Sequence, residues 1–313
     1  MTSSARTVLP TDLVALVSYD GRVYANEALT ADRTGSEASP HPLETAFEQW
    51  FSFATGRHTW ISVKGPTLRG LLSARNRGSK LAWEVDCLID AARDNSGVLM
   101  SLLDQMTVAA GKSHALRIFL RLPTGSYSEE IASRCGFVPY RTETAYHRDV
   151  RADEPHNGPA GLRRRAKSDL HAVFQLYNAV VPEKERRHEA MTLNEWKALQ
   201  EHLGRTSQYV LEGDGTLAAS MRIAADGDIG RFEVLAEAEA LDDALDAALL
   251  KLQNRRAMWT LVSDGQPLLR EALEERGFEA DERYTVLCRR TVHLVKAASK
   301  VRAVAKPGKA VLA

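Results

Sequence analysis

No run of apolar residues in this chain approaches the ~20 that a helix needs to cross a bilayer. The opening stretch, Met1 to Pro10, lacks the apolar core of a secretory signal. Cysteine is scarce. Cys87, Cys135 and Cys288 are odd in number, far apart, and form no Cys-x-x-Cys pair, so they read as reduced core thiols rather than a disulfide frame. Charge of one sign is missing too: 41 Lys and Arg balance 41 Asp and Glu, and no global field steers the chain to nucleic acid or membrane. The nine histidines are scattered with no His-x-x-x-His or His/Cys cluster, so no metal is expected. No Gly-x-Ser-x-Gly marks a hydrolase nucleophile. His147-Arg148-Asp149 matches the kinase catalytic triplet, but neither a glycine-rich loop nor Asp-Phe-Gly accompanies it. These absences predict a cytoplasmic protein without metal, membrane or nucleic-acid partner.

What is present is length and order. A chain of 313 residues exceeds one ordinary core, and two domains of about 150 residues are expected. In the first half, Leu43, Ala46, Phe47, Trp50, Phe51 and Ala54 form a helical apolar stripe. His58–Lys64 and Thr67–Asn76 then read as a hairpin around Gly65-Pro66. Leu81–Ile89 follows as a strand with Trp83, Val85 and Cys87 on one face. Leu99, Leu102, Leu103, Met106 and Ala110 predict a helix, and Leu116–Leu122 a strand. Ser126 and Glu129 form a capping-box pattern for a helix ending at Cys135-Gly136-Phe137, before a strand over Thr142–Val150.

The second half repeats the order. Ser168 is the expected N-cap of a helix carrying Leu170, Val173, Phe174, Tyr177 and Val181. Thr192 and Glu195 open a helix with Trp196, Leu199 and Leu203. Gln208–Glu212 and Thr216–Ala224 form a hairpin, and Ile229–Leu235 a strand. A helix on Leu241, Leu245, Ala248, Leu249 and Leu252 precedes a strand over Ala257–Val262. Pro267 starts the last helix, which closes at Arg276-Gly277-Phe278 before a strand over Arg283–Arg290. Trp83-Glu84-Val85 matches Phe232-Glu233-Val234, and Gly136-Phe137 matches Gly277-Phe278. The expected fold class is α/β with two similar domains, each a mixed central sheet flanked by helices. Residues 1–150 form the first domain, 151–160 the linker and 161–295 the second domain. Residues 296–313 form a tail with five basic residues and no acid. Asp12–Leu29 could hold an opening strand and helix.

Hairpin, strand, long helix, strand, short helix, Gly-Phe and closing strand resembles the GNAT (N-acetyltransferase) superfamily, twice over. The run Arg163-Arg164-Arg165-Ala166-Lys167-Ser168-Asp169-Leu170 is similar to a GNAT opening. The resemblance implies acetyl-CoA or another acyl-CoA as co-substrate, its pyrophosphate held where the central strand meets the long helix. In the first half this falls on Arg93, Ser96, Gly97 and Val98, with Asp94 alongside. Ser96 reads equally well as a plain N-cap and Gly97 as a permissive first-turn residue. The second half offers Ala236-Glu237-Ala238-Glu239-Ala240, with no glycine and two carboxylates, a loop expected to repel a pyrophosphate. Glu84 is the candidate general base, with a solvent-facing strand residue as the alternative. The family's proton-donating Tyr positions hold Ala132 and Leu273, with Tyr127 and Tyr140 nearby.

The resemblance implies an acyl-CoA-dependent N-acyltransferase passing an acetyl group to an amine of a small molecule or protein. Two other readings stand beside it. The absent Tyr and degenerate second loop suit a non-catalytic tandem GNAT-like binding or scaffold protein, since fold does not fix function. The basic tail suits an RNA- or ribosome-associated factor.

Overall fold

A computed structural model describes residues 5–9, 12, 25–36, 57–65, 67–92, 96–149, 158–213 and 215–291. The expected helix on Leu43–Ala54, the linker over 151–157 and the tail fall outside these residues.

The first half comprises β1 (Arg6–Thr7), β2 (His58–Lys64), β3 (Thr67–Arg77), β4 (Ser79–Asp90), α1 (Ser96–Lys112), β5 (Arg117–Pro123), α2 (Tyr127–Arg134) and β6 (Val138–Asp149). The second comprises β7 (Leu162–Arg164), α3 (Leu170–Val180), α4 (Glu183–Glu189), α5 (Leu193–Leu199), β8 (Thr206–Gly213), β9 (Thr216–Asp226), β10 (Ile229–Ala236), α6 (Leu241–Leu252), β11 (Ala257–Ser263), α7 (Pro267–Glu275) and β12 (Glu279–Arg290).

Local chemistry explains most of these boundaries. Along α1 the apolar positions recur at helical spacing, so Val98, Leu99, Leu102, Leu103, Met106 and Ala110 all face the first core. Truncating one of these, such as Leu102→Ala, costs roughly 2–5 kcal/mol because the cavity cannot collapse. The Ser126 hydroxyl accepts from the Glu129 amide at the start of α2, as its capping pattern requires. Gly136 and Gly277 end α2 and α7 with φ of 81° and 75°, a conformation in which a Cβ is costly. Phe137 and Phe278 then drop into the two cores.

Some boundaries differ from expectation. Ser168 is not the cap of α3: Lys167–Asp169 form a short 3₁₀ turn and the helix starts at Leu170. The Asp169 carboxylate, already committed to the Ala166 amide and Arg163, organises that turn instead. Leu203 lies beyond α5, which ends at Leu199. Helix α4 has no counterpart in the sequence reading, because Glu183–Glu189 carries no apolar stripe to announce it. Among the described residues the first strand is Arg6–Thr7, and most of Asp12–Leu29 lies outside them.

Among the described residues the twelve strands form one sheet, in the order β1-β2-β3-β4-β5-β12-β6-β11-β10-β9-β8-β7. Each strand of the second half mirrors its counterpart in the first, which makes the order palindromic. At the centre the closing strands change places. Strand β12 runs antiparallel to β5, from Tyr284↔Pro123 to Arg290↔Arg117. Strand β6 runs antiparallel to β11, from Ala257↔Asp149 to Ser263↔Glu143. The two closing strands also pair with each other. Each half therefore completes the other's sheet, and no cut through the chain separates two finished domains.

Candidate functional site

The central strands of the two halves fork. Parallel β4 and β5 pair only through Ala82↔Arg117, Trp83↔Ile118 and Glu84↔Phe119. Parallel β10 and β11 pair only through Ile229↔Ala257, Gly230↔Met258 and Arg231↔Trp259. Past those points, the strands of each pair separate and leave unpaired backbone facing the gap. The two forks then differ.

The first is filled by the chain itself. The Glu27 amide donates to the Leu88 carbonyl at 2.9 Å, and the Leu29 amide donates to the Arg121 carbonyl at 3.1 Å. The Asn26 side chain stands in for one more strand residue. Its amide donates to the Asp86 carbonyl at 3.0 Å, and its oxygen accepts from the Leu88 amide at 2.8 Å. Ala28, Thr30 and Ala31 are buried as a result.

In the second fork, no backbone bond among the described residues bridges the gap. It opens into a cavity of about 210 Å³, walled by Phe232–Leu235 of β10 and by Leu261 and Ser263 of β11. Val173, Tyr177 and Trp196 from α3 and α5 cover it. The same strap of chain that plugs the first fork reaches this one: Ala31 and Thr34 line the cavity.

The cavity floor is a buried ionic network joining the halves. Glu201 accepts from both terminal nitrogens of Arg121, at 2.7 and 2.8 Å, from Arg77 at 3.3 Å and from the Ala31 amide at 2.8 Å. Burial alone would push the Glu201 carboxyl up, but Arg121 and Arg77 hold it well below the usual carboxylate range. Arg121 also bonds Glu143 at 2.7 Å. Arg141 bridges Glu143 at 2.5 Å and Glu189 at 2.6 Å. Tyr140 and Tyr177 each donate to Glu189 at 3.2 Å. Glu185 accepts from the Ser263 hydroxyl at 3.0 Å, and burial raises its carboxyl above the ordinary value despite Arg141. Arg222 pairs with Glu233 across β9 and β10 at 2.6 Å.

The residues expected from the sequence do not meet in this cavity. Glu84 is 3% exposed, so it is not the solvent-facing residue of the alternative reading. Its Oε1 accepts from Arg75 at 2.7 Å, the counterpart of the Arg222–Glu233 pair. Burial and then Glu201 push the Glu84 carboxyl up to about 7, against the pull of Arg75. It faces the filled side of the molecule. Ser96 and Gly97 lie in the first turn of α1, while Val98 is 2% exposed within the first core. None of these four lines the cavity. Arg93 and Asp94 fall outside the described residues. Tyr140 is buried against Glu189 rather than at the family's Tyr position.

Sequence reasoning missed Glu185, Glu189, Glu201, Arg231 and Trp259. A signal existed for one of them: Arg231 sits in a largely apolar strand whose one other charged residue is Glu233. Among the described residues no group of His, Cys, Asp and Glu is arranged to hold a metal, and no helix is long and apolar enough to cross a membrane.

Two comparisons, with family profiles and with curated proteins, return no match to this sequence. Solved structures do match. A GCN5-related N-acetyltransferase from Sphaerobacter thermophilus superimposes with a TM-score of 0.57 at 15% identity, covering 93% of this chain and 97% of that one. A GCN5-related N-acetyltransferase from Kribbella flavida gives 0.46 at 14% identity, covering 92% of this chain and 71% of that one. A tandem GNAT protein from the clavulanic acid biosynthesis pathway gives 0.46 at 17% identity, covering 89% and 93%. The first likeness spans both halves, and at such identity it establishes the fold alone.

Proposed function

We propose that this protein, a chain with the GNAT fold in both halves, binds a small molecule in the second-half cavity and does not hold an acyl-CoA as GNAT enzymes do. One observation carries the reading. The backbone of Asn26–Leu29 makes the strand-like bonds of the first fork, to Leu88 and Arg121, that a pantetheine arm would need. A cofactor would have to expel a segment in which Ala28 is buried and its neighbours are half-buried.

The second fork is open but ends badly for a pyrophosphate. Glu237 and Glu239 precede α6, and Asp242 and Asp243 occupy its first turn. A helix N-terminus offers an anion roughly 0.3–1 kcal/mol. A like charge at about 4 Å repels by about 1 kcal/mol even in bulk water. With four carboxylates near one helix start, repulsion wins. Neither half therefore fits the group in the family's manner.

A second reading rests on the open fork. It leads directly to Glu233, Glu185 and Glu189, carboxylates that could deprotonate an amine, with Glu185 shifted in the direction a general base needs. In that case the protein is an N-acyltransferase whose chemistry lies in the second half.

Calorimetric titration with acetyl-CoA and with free CoA separates the readings. Binding absent at millimolar ligand is the expected result. Saturable binding lost in Gly97→Glu would return the cofactor to the first half. Saturable binding lost instead in Thr260→Trp, which narrows the second fork, would place the cofactor there and support the acyltransferase reading.

A further inference from the structure

We infer that the second-half cavity is built for a small carboxylic acid whose anionic end pairs with Arg231. The inference rests on the ligand-binding reading above and names the class of ligand.

The cavity's guanidinium groups are not equivalent. Arg77 pairs with Glu201, Arg121 with Glu143 and Glu201, Arg141 with Glu143 and Glu189, and Arg222 with Glu233. Arg231 is 2% exposed and has no carboxylate within ion-pair distance among the described residues. Its Nε donates to the Thr34 carbonyl at 2.7 Å and one terminal nitrogen to the Ser36 hydroxyl at 2.6 Å. Asp32 and Asp226 are the acids whose charge it feels, and Asp32 is already held by Arg75 through two bonds. Burying a cation without an acid costs several kcal/mol, and proteins rarely keep one unless something else supplies the anion.

The fold does not demand an arginine there. The two halves align at Trp83-Glu84-Val85 and Phe232-Glu233-Val234, so the position matching Arg231 in the first half is Ala82, buried in an apolar cluster. Only the half with the open fork carries the cation. Arg231 also stands at the last paired position, opposite Trp259, where the gap begins. It therefore lies at the closed, inner end of the fork, where the end of a ligand that fills the gap comes to rest.

Size and lining set the rest of the ligand. An apolar cavity of about 150 Å³ accepts benzene, so 210 Å³ admits a molecule on the order of ten heavy atoms. Val173, Trp196, Leu203, Trp259 and Leu261 supply apolar contact beside Arg231. A carboxylate on a short apolar or aromatic body matches both ends, and pairing with a planar guanidinium is bidentate.

The test titrates the full chain by calorimetry with phenylacetate, phenylacetamide and phenethylamine, and repeats phenylacetate on Arg231→Met and Arg231→Lys. Expected is saturable phenylacetate binding, weaker by about tenfold or more for the amide. Arg231→Met should lose it while its melting midpoint stays at or above wild type, because the substitution removes a buried unpaired charge. Arg231→Lys should retain part of the affinity. A merely structural arginine would instead lower the midpoint and leave the carboxylate preference intact. Should Arg231→Met not fold, the acid–amide–amine series on wild type and Arg231→Lys still decides. Tighter binding of phenethylamine, equal binding of acid and amide, unchanged binding in Arg231→Met, or no binding of phenylacetate, butyrate or hexanoate at millimolar concentration would each overturn the inference. The acetyl-CoA titration scores the broader reading separately: acetyl-CoA can bind while phenylacetate fails, and the reverse.

Discussion

Glu201→Gln is the sharpest probe of how the halves are joined. Glu201 belongs to the second half, between α5 and β8, yet the partners of its carboxylate, Arg77, Arg121 and Ala31, all belong to the first. Replacing its carboxylate with an amide leaves the shape and removes the charge. Arg121 keeps Glu143, but Arg77 is left buried without a carboxylate. Removing one partner of a buried pair costs roughly 3–5 kcal/mol, and the residual amide bonds favour the lower end, about 3 kcal/mol. At roughly 2–4 °C per kcal/mol for a large domain, the melting midpoint should fall by about 6–12 °C. Because the Glu201 carboxyl is depressed in the fold, its contribution is present above the ordinary carboxylate value and is lost only as pH falls through the folded value. The difference between wild type and variant should thus hold across pH 6–8 and close in strong acid (~pH 4 and below). Differential scanning calorimetry measures both effects. Adding Arg77→Met should recover part of the loss, with a coupling of roughly 0.5–3 kcal/mol. A midpoint within about 1 °C of wild type at neutral pH, or no coupling to Arg77, would show that the network does not bind the halves together.

Three further outcomes follow from other contacts. Gly35→Ala places a Cβ 2.3–2.4 Å from the Trp259 indole at a φ of 72°, so the strap should lift; about 1–3 kcal/mol lost, with altered near-UV dichroism, is expected, and unchanged spectra would count against the packing. Glu84, raised to about 7, favours the fold most when protonated, so its contribution is full below about 4.5 and declines as pH rises through 7. Glu84→Gln should therefore gain on wild type between pH 5 and 8 in thermal melts; a gap that stays constant contradicts the shift. Expressed alone, residues 1–157 lack β12, leaving the β5 edge bare, and should show no cooperative unfolding until co-expressed with residues 158–313. A cooperative melt for the isolated half would mean the exchange is dispensable.

The elements themselves were legible in the sequence wherever local chemistry fixes them. Strand β2 spans His58–Lys64 as its hairpin punctuation implies, and α1 buries each residue of its stripe. Ser126 caps α2, and both Gly-Phe pairs end their helices, because these contacts act within a few residues. The duplicated order, and with it the GNAT resemblance, followed from the same local signals. The site did not. Helix α4 presents no apolar residue, and whether such a helix faces water or Arg141 is not written in its periodicity.

The sequence by itself determined most of the strands and helices, where many of them stop, and that the second half carries acids in the loop before α6. Tertiary structure alone decided three things. Strands β6 and β12 alternate alike and can pair antiparallel with β5 or β11, so only the assembled sheet selects the exchange. Asn26–Leu29 has no repeating pattern, and only the unpaired backbone of the first fork gives it a place. Glu201 looks like an ordinary charged residue, and Arg231 stands out only by its strand, until the folded chain brings Thr34, Arg77 and Arg121 around them. Periodicity and caps are short-range, whereas burial of these charges is settled by residues 80 to 197 positions away.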